Sequence, residues 1–245
     1  MSTFIIADLH LSEHKPILTN AFANFYNNLY LNDRLIIAGD MFDFFVGLDK
    51  NSPFQQKIRN IVLDAKKRGV ATLFQRGNRD FLMDEKSAEF FGMKLIGDYY
   101  SLQTPDGKAL LLHGDQLCLS DKSYQKFKNL TQNRLAKYVF MALPLSWKES
   151  VAKKIRLKSQ KEQASRETML SLSDPIVKEA GALLLKNTNC KILIHGHFHI
   201  YGGEKDAFGE NTYRLGLGMW KSHYSYIKID RHELKLVQRS MEKNF

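Results

Sequence analysis

Seven side chains share two properties: each offers an oxygen or nitrogen donor, and each stands just past a short apolar run. Asp8 and His10 occur in Ala7-Asp8-Leu9-His10-Leu11, and Asp40 in Ala38-Gly39-Asp40-Met41-Phe42. Asn78 occurs in Arg76-Gly77-Asn78-Arg79-Asp80, His113 in Leu111-Leu112-His113-Gly114-Asp115, and His197 and His199 in His195-Gly196-His197-Phe198-His199. Carboxylate, imidazole and amide donors suit Mn²⁺, Fe²⁺ or Zn²⁺, and no thiolate takes part. So many donors cannot crowd one ion and leave room for substrate, whereas two ions sharing a bridging carboxylate can use them. Two such ions activate a water and clamp the oxygens of an in-line phosphoryl displacement. The Asp8-x-His10 spacing is expected to point both side chains one way, because alternate residues of an extended chain share a face. Singly, each residue has an ordinary explanation as a helix cap, a core histidine or a turn. Their succession at strand ends is the specific signal.

The elements that must position them are legible as apolar runs. Thr3–Ala7, Leu35–Ala38 and Val70–Phe74 read as buried strands, separated by helical spacing over 16–31 and 53–68. That alternation predicts parallel strands joined by crossover helices. Open α/β sheets put ligand sites beyond the carboxyl ends of their strands, where these donors fall. Shorter strands follow near 93–96, 99–104 and 109–112, with a hairpin turn at Pro105-Asp106-Gly107. Residues 121–143 and 146–170 read as helices, as does 175–187 before a strand at Lys191–Ile194. Alternating residues from Tyr213 to Leu236 predict an antiparallel tail of strands.

The chain has 245 residues and a formal charge of +10, with 36 Lys and Arg against 26 acids. The charge is local. Residues 121–170 hold 12 Lys and Arg against 4 acids, leaving 24 against 22 elsewhere. Two widely spaced cysteines, Cys118 and Cys190, exclude a disulfide scaffold. No run reaches the roughly 18 apolar residues of a membrane span, and no signal peptide is evident, so a cytoplasmic protein is expected.

Asp8-x-His10, Gly39-Asp40, Gly77-Asn78, His113 and Gly196-His197-x-His199 resemble the motifs of the calcineurin-like metallophosphoesterases. The resemblance implies a four-layer α/β/β/α sandwich with two divalent ions. It places one ion on Asp8, His10, Asp40 and His199, and the other on Asp40, Asn78, His113 and His197, with Asp40 bridging. His195 lies just outside the motif and is expected either to support the ligand residues from behind or to be structural. Many members carry a histidine after Gly-Asn, where this chain has Arg79. A guanidinium cannot donate a proton usefully at neutral pH but grips phosphate bidentately.

The longer strings, including Ala38-Gly39-Asp40-Met41-Phe42 and His113-Gly114-Asp115-Gln116-Leu117-Cys118, resemble the bacterial UDP-2,3-diacylglucosamine hydrolases of lipid A synthesis. That resemblance implies cleavage of a pyrophosphate to UMP and diacylglucosamine 1-phosphate, with Mn²⁺. It makes His10, Asp40, Asn78 and Arg79 catalytic. Residues 1–120 and 171–245 become the core, and 121–170 an inserted helical lid. Asn78, Arg79, His197, Asp121, Tyr124, Arg156, Ser159 and Arg166 become substrate contacts. Peripheral association with an anionic inner membrane, a monomer and no nucleic-acid partner are expected. Basic helices bearing Trp147, Val151, Ile155 and Leu157 beside Lys153, Lys154 and Arg156 suit an amphiphilic, phosphorylated substrate. The chain departs from the family pattern at Gln116, at Ile200 after the last histidine, and at Met219 in Leu217-Gly218-Met219-Trp220. A phosphoesterase of other specificity, such as a nucleotide phosphodiesterase or nuclease, stays open, as does a lipid-binding module with a vestigial metal site.

Overall fold

The computed structural model describes residues 1–119, Trp147 and residues 174–241. The expected helices over 121–143 and 146–170 lie outside the described residues, Trp147 apart. β1 (Thr3–Ile6), β2 (Arg34–Ala38) and β3 (Ala71–Gln75) run parallel, as their apolar runs and intervening helices require. β4 (Lys94–Leu95) extends this sheet in parallel beside β3. β10 (His223–Ile229) and β11 (Leu234–Ser240) form an antiparallel hairpin that joins its other edge through β1. The second sheet has the order β5-β6-β7-β9-β8. β5 (Tyr100–Thr104) and β6 (Gly107–Leu111) pair as the expected hairpin across Pro105-Asp106. β7 (Ile192–His195) and β9 (Tyr213–Leu217) continue parallel to β6, and β8 (Tyr201–Lys205) closes the edge antiparallel to β9.

Three apolar layers bind these parts. α1 (Pro16–Asn27) and α2 (Pro53–Lys67) lay Phe22, Phe25, Tyr26, Ile58 and Val62 on the outer face of the first sheet. Each fully buried side chain of this kind contributes about 1.5–3 kcal/mol. Ile5 of β1, Ala7 just past it, and Ile36 and Ala38 of β2 turn the other way to meet Leu111, Ile194 and Leu217 of the second sheet. α4 (Pro175–Thr188) covers the far face, with Val177, Ala180 and Leu185 against Leu110, Leu112 and Leu193. The layers are therefore α/β/β/α. Helix starts follow local chemistry: Ser52 accepts from Gln55 N ahead of Pro53, and Asp174 from Ile176 N ahead of Pro175.

Four features differ from the sequence reading. α1 stops at Asn27, because residues 28–33 turn back and Asn32 takes a left-handed backbone. A short α3 (Glu85–Phe90), capped by Asp84, is additional. β8 is too, since Tyr-Gly-Gly-Glu-Lys carries no apolar alternation. The expected antiparallel tail is divided between the sheets: β9 lies parallel to β7 and antiparallel to β8 in the second, while β10 and β11 form a hairpin on the first. Alternation reports which face is buried, not strand direction or sheet membership.

One close contact tests the outer layer. A Cβ at Gly181 of α4 would lie 2.3 Å from the buried Phe208 ring. Gly181→Ala gains roughly 1 kcal/mol of helix propensity but must displace that ring at about 1–3 kcal/mol. The expected outcome is a net loss of about 1 kcal/mol, read as a lower midpoint in chemical unfolding. A stabilised variant would show that the contact yields freely.

Candidate metal centre

Five parallel strands end at one place. Asp8 follows β1, Asp40 follows β2 and Asn78 follows β3 in the first sheet. His113 follows β6, and His197 and His199 follow β7, in the second. The site therefore lies across the top of both sheets. Ligand atoms of Asp8, His10 and His199 fall within 4.8 Å of one another, as do those of Asp8, Asp40 and His113. His10 Nε2 stands 3.2 Å from His199 Nε2, and His199 Nε2 stands 3.6 Å from Asp8 Oδ1. On the other side, Asn78 Oδ1 lies 3.0 Å from His113 Nε2 and 2.9 Å from His197 Nδ1. Asp40 reaches both groups, with Oδ2 4.0 Å from His10 Nδ1 and Oδ1 3.5 Å from His113 Nε2.

The means of convergence differs from the expectation for Asp8-x-His10. Neither residue is extended: Asp8 has φ +54° and His10 φ +48°. β1 ends at Ile6, and the chain then folds over the end of β2, with Asp8 N donating to Gly39 O and His10 N to Asp40 O. Asp40, His197 and His199 are left-handed too, at φ +52°, +64° and +57°. Each such backbone costs about 1–2 kcal/mol outside glycine. Strain of this kind gathers at functional sites when surrounding structure holds it in place.

The surroundings fix charge as well as position. Burial, with Arg79 nearby, lowers His10 well below its usual range, and burial lowers His197 to about 3. Both rings are therefore neutral and can offer lone pairs. Burial alone would lower His113, but Asp40 and Asp8 raise it to about 9. Its Nδ1 faces Ala38 O at 2.9 Å, so that nitrogen donates and Nε2 is aimed at the site. Burial alone would raise Asp8, yet His199, His113 and His10 around it hold it well below the usual carboxylate range. Burial raises Asp40 despite the pull of His113 and Arg79.

Among the described residues, neither Asp8 Oδ1 nor His10 Nδ1, both buried, meets a hydrogen-bond partner. Polar atoms so buried normally find one. At metal–ligand distances of about 2.0–2.2 Å, two donors to one ion lie roughly 3 Å apart, which is the His10–His199 spacing. The residues present thus fit divalent cations.

Arg79 is drawn into the same cluster, with Nε 3.5 Å from Asp40 Oδ2 and Nη1 3.3 Å from Asp43 Oδ1. Lys15 Nζ stands 3.5 Å from Asp43 Oδ2 and bonds His10 O. His195 is buried away from the facing donors, between Arg214 and Gly196. Ile200 is exposed directly after His199, and Met219 is half-buried beside Trp220. Asp121, Tyr124, Arg156, Ser159 and Arg166 lie outside the described residues.

Sequence reasoning passed over Asp43, Lys15 and, most consequentially, Asp80. The fully buried Asp80 carboxylate accepts from Gly77 N at 2.7 Å, Met41 N at 2.8 Å and Asp40 N at 3.3 Å, buckling the loops after β2 and β3 together. Burial and the neighbouring Asp40 charge push it up to about 7. Asp80→Ala orphans three buried N–H groups at about 1–3 kcal/mol each. The variant should lose at least about 3 kcal/mol in urea unfolding; a loss under 1 kcal/mol would show that the buckle is dispensable.

The calcineurin-like phosphoesterase family model matches residues 1–201. A UDP-2,3-diacylglucosamine hydrolase of Haemophilus influenzae (strain PittGG) is 36% identical over 93% of this chain and 94% of its own. Proteins of the same name from Tolumonas auensis and Proteus mirabilis are 34% and 35% identical, covering 98% and 97% of this chain and 97% and 99% of their own. With its strand-end donors and their fit to divalent cations, this chain belongs to the calcineurin-like phosphoesterase family and is a metal-dependent hydrolase.

Proposed function

We propose that the protein hydrolyses the pyrophosphate of UDP-2,3-diacylglucosamine to UMP and 2,3-diacylglucosamine 1-phosphate, as a step of lipid A biosynthesis. The observation that carries this reading is near-full-length similarity to relatives bearing that enzyme name. The geometry supports two divalent ions, Mn²⁺ in our reading. One would be held by Asp8, His10, Asp40 and His199, the other by Asp40, Asn78, His113 and His197. Ions there would supply an activated water and a clamp on the phosphoryl oxygens. The placement of the two Asp40 oxygens, one toward each histidine group, supports its reading as the shared ligand.

The chain's own groups do the rest. Asp43 holds one edge of the Arg79 guanidinium, and Nη2 meets no acceptor among the described residues. That edge is available to grip phosphate and offset charge as the leaving group departs. His10, Asp40, Asn78 and Arg79 are thus the residues nearest the chemistry, with His197 beside the bound phosphate. Residues 121–170 act as an inserted helical lid on the core of 1–120 and 171–245, with Asp121, Tyr124, Arg156, Ser159 and Arg166 contacting substrate. Their mixture of cations and large apolar residues suits diacyl chains and a peripheral position on the anionic inner membrane. None of the described helices is long and apolar enough to cross a membrane. A cytoplasmic monomer acting without nucleic acid completes the reading.

The direct test is incubation of purified protein and Mn²⁺ with UDP-2,3-diacylglucosamine, followed by detection of UMP. Asp40→Ala should lower that release at least ~10³-fold, the scale of losing a major electrostatic element. Near-wild-type turnover in metal-replete buffer would refute the shared-ligand role. Cleavage of oligonucleotides with no UMP release would favour the nuclease reading. Neutralising Lys153, Lys154 and Arg156 should weaken binding to anionic liposomes or raise KM, since each cation near such a surface contributes about 1 kcal/mol. If neither changes, those residues form an ordinary solvated face.

A further inference from the structure

His195 is completely buried, yet it takes no place among the facing donors. It ends β7, and its Nε2 lies 3.4 Å from Arg214 Nη1 while its Nδ1 lies 2.8 Å from Gly196 O. A guanidinium can only donate. Nε2 must therefore accept, so Nδ1 carries the proton and donates it to the Gly196 carbonyl. Arg214 is itself held: strand register sets it opposite Glu204, and its Nε donates to Glu204 Oε2 at 3.1 Å.

The Gly196 carbonyl shares a planar peptide with the N–H of His197, so fixing one end fixes the other. That N–H donates to Asp8 Oδ2 at 2.9 Å. A Cβ at residue 196 would lie 2.4 Å from the same oxygen, so only glycine permits the approach. With Oδ2 engaged, Oδ1 is the Asp8 oxygen left without a hydrogen-bond partner among the described residues, and it faces His199.

We propose that Glu204, Arg214 and His195 form a positioning relay that acts through the Gly196–His197 peptide. It selects which Asp8 oxygen is presented to the cation and steadies His197 in its left-handed backbone. The three residues are positioning residues and touch neither substrate nor ion. The relay rests on the reading of Asp8 as a metal ligand.

The test is calorimetric Mn²⁺ titration of the purified, chelator-stripped full chain, in the wild type and in His195→Asn, His195→Gln and Arg214→Ala. Asn sets an amide donor where Nδ1–H lies, whereas Gln mimics the other nitrogen. Losing such supporting contacts weakens metal binding about 10–100-fold. That loss is expected for His195→Gln and Arg214→Ala, with His195→Asn within about threefold of wild type. Equal affinities for the Asn and Gln variants, or wild-type affinity in Arg214→Ala, would overturn the relay. If Arg214→Ala does not fold, the Asn and Gln pair decides alone. Absence of Mn²⁺ binding in the wild type would instead sink the metal-ligand reading, and the relay with it.

Discussion

Asp8 and Asp40 are carboxylates removed from water, with ligand atoms within 4.8 Å of each other. Two unit charges at that separation repel by roughly 3.5 kcal/mol at an effective dielectric of about 20. No single hydrogen bond offsets that. The protein answers with Arg79 against Asp40, the His113 ring beside both, and backbone N–H groups of Arg79 and His197. These partners are drawn from both sheets. Divalent cations complete the compensation, because they neutralise two carboxylates at once. The same crowding that makes the pair unfavourable alone makes it a strong cation site.

Holding those charges demands unusual backbone. Five of the donors, Asp8, His10, Asp40, His197 and His199, are left-handed, although none is glycine. The strain is sustained by rigid neighbours: buried β1, β2 and β7 below, the Asp80 buckle beside, and Trp220 N–H on Asp8 O. The strand ends therefore act as fixed posts, and the turns above them bend side chains inward that a regular strand would splay apart.

Much of this was legible in the sequence. Apolar runs ending in Asp, Asn or His gave β1, β2, β3, β6 and β7 and the donors above them, because buried parallel strands need unbroken apolar stretches. The structure places each expected donor at a strand end, but the reason Asp8 and His10 converge was not legible, since left-handed turns leave no mark in residue spacing. Asp80 escaped because its role is to bind backbone, and backbone geometry is invisible until loops meet. β9 is antiparallel to β8 and parallel to β7, and its alternation could not say which sheet or which neighbours it would join.

Strands β6 and β7 lie side by side, although some eighty residues of chain separate them, the last part of which is α4. Near the start of that chain, the short turn Asp115–Leu117 packs on α4, with Leu117 and Val177 in one apolar cluster. The two ends of the intervening chain are therefore already held together by the core. Doubling the length of a chain closed in this way costs only about 0.6 kcal/mol. The core thus fixes both ends of the intervening chain by itself, so a change in the length or charge of that chain need not disturb the strand-end donors.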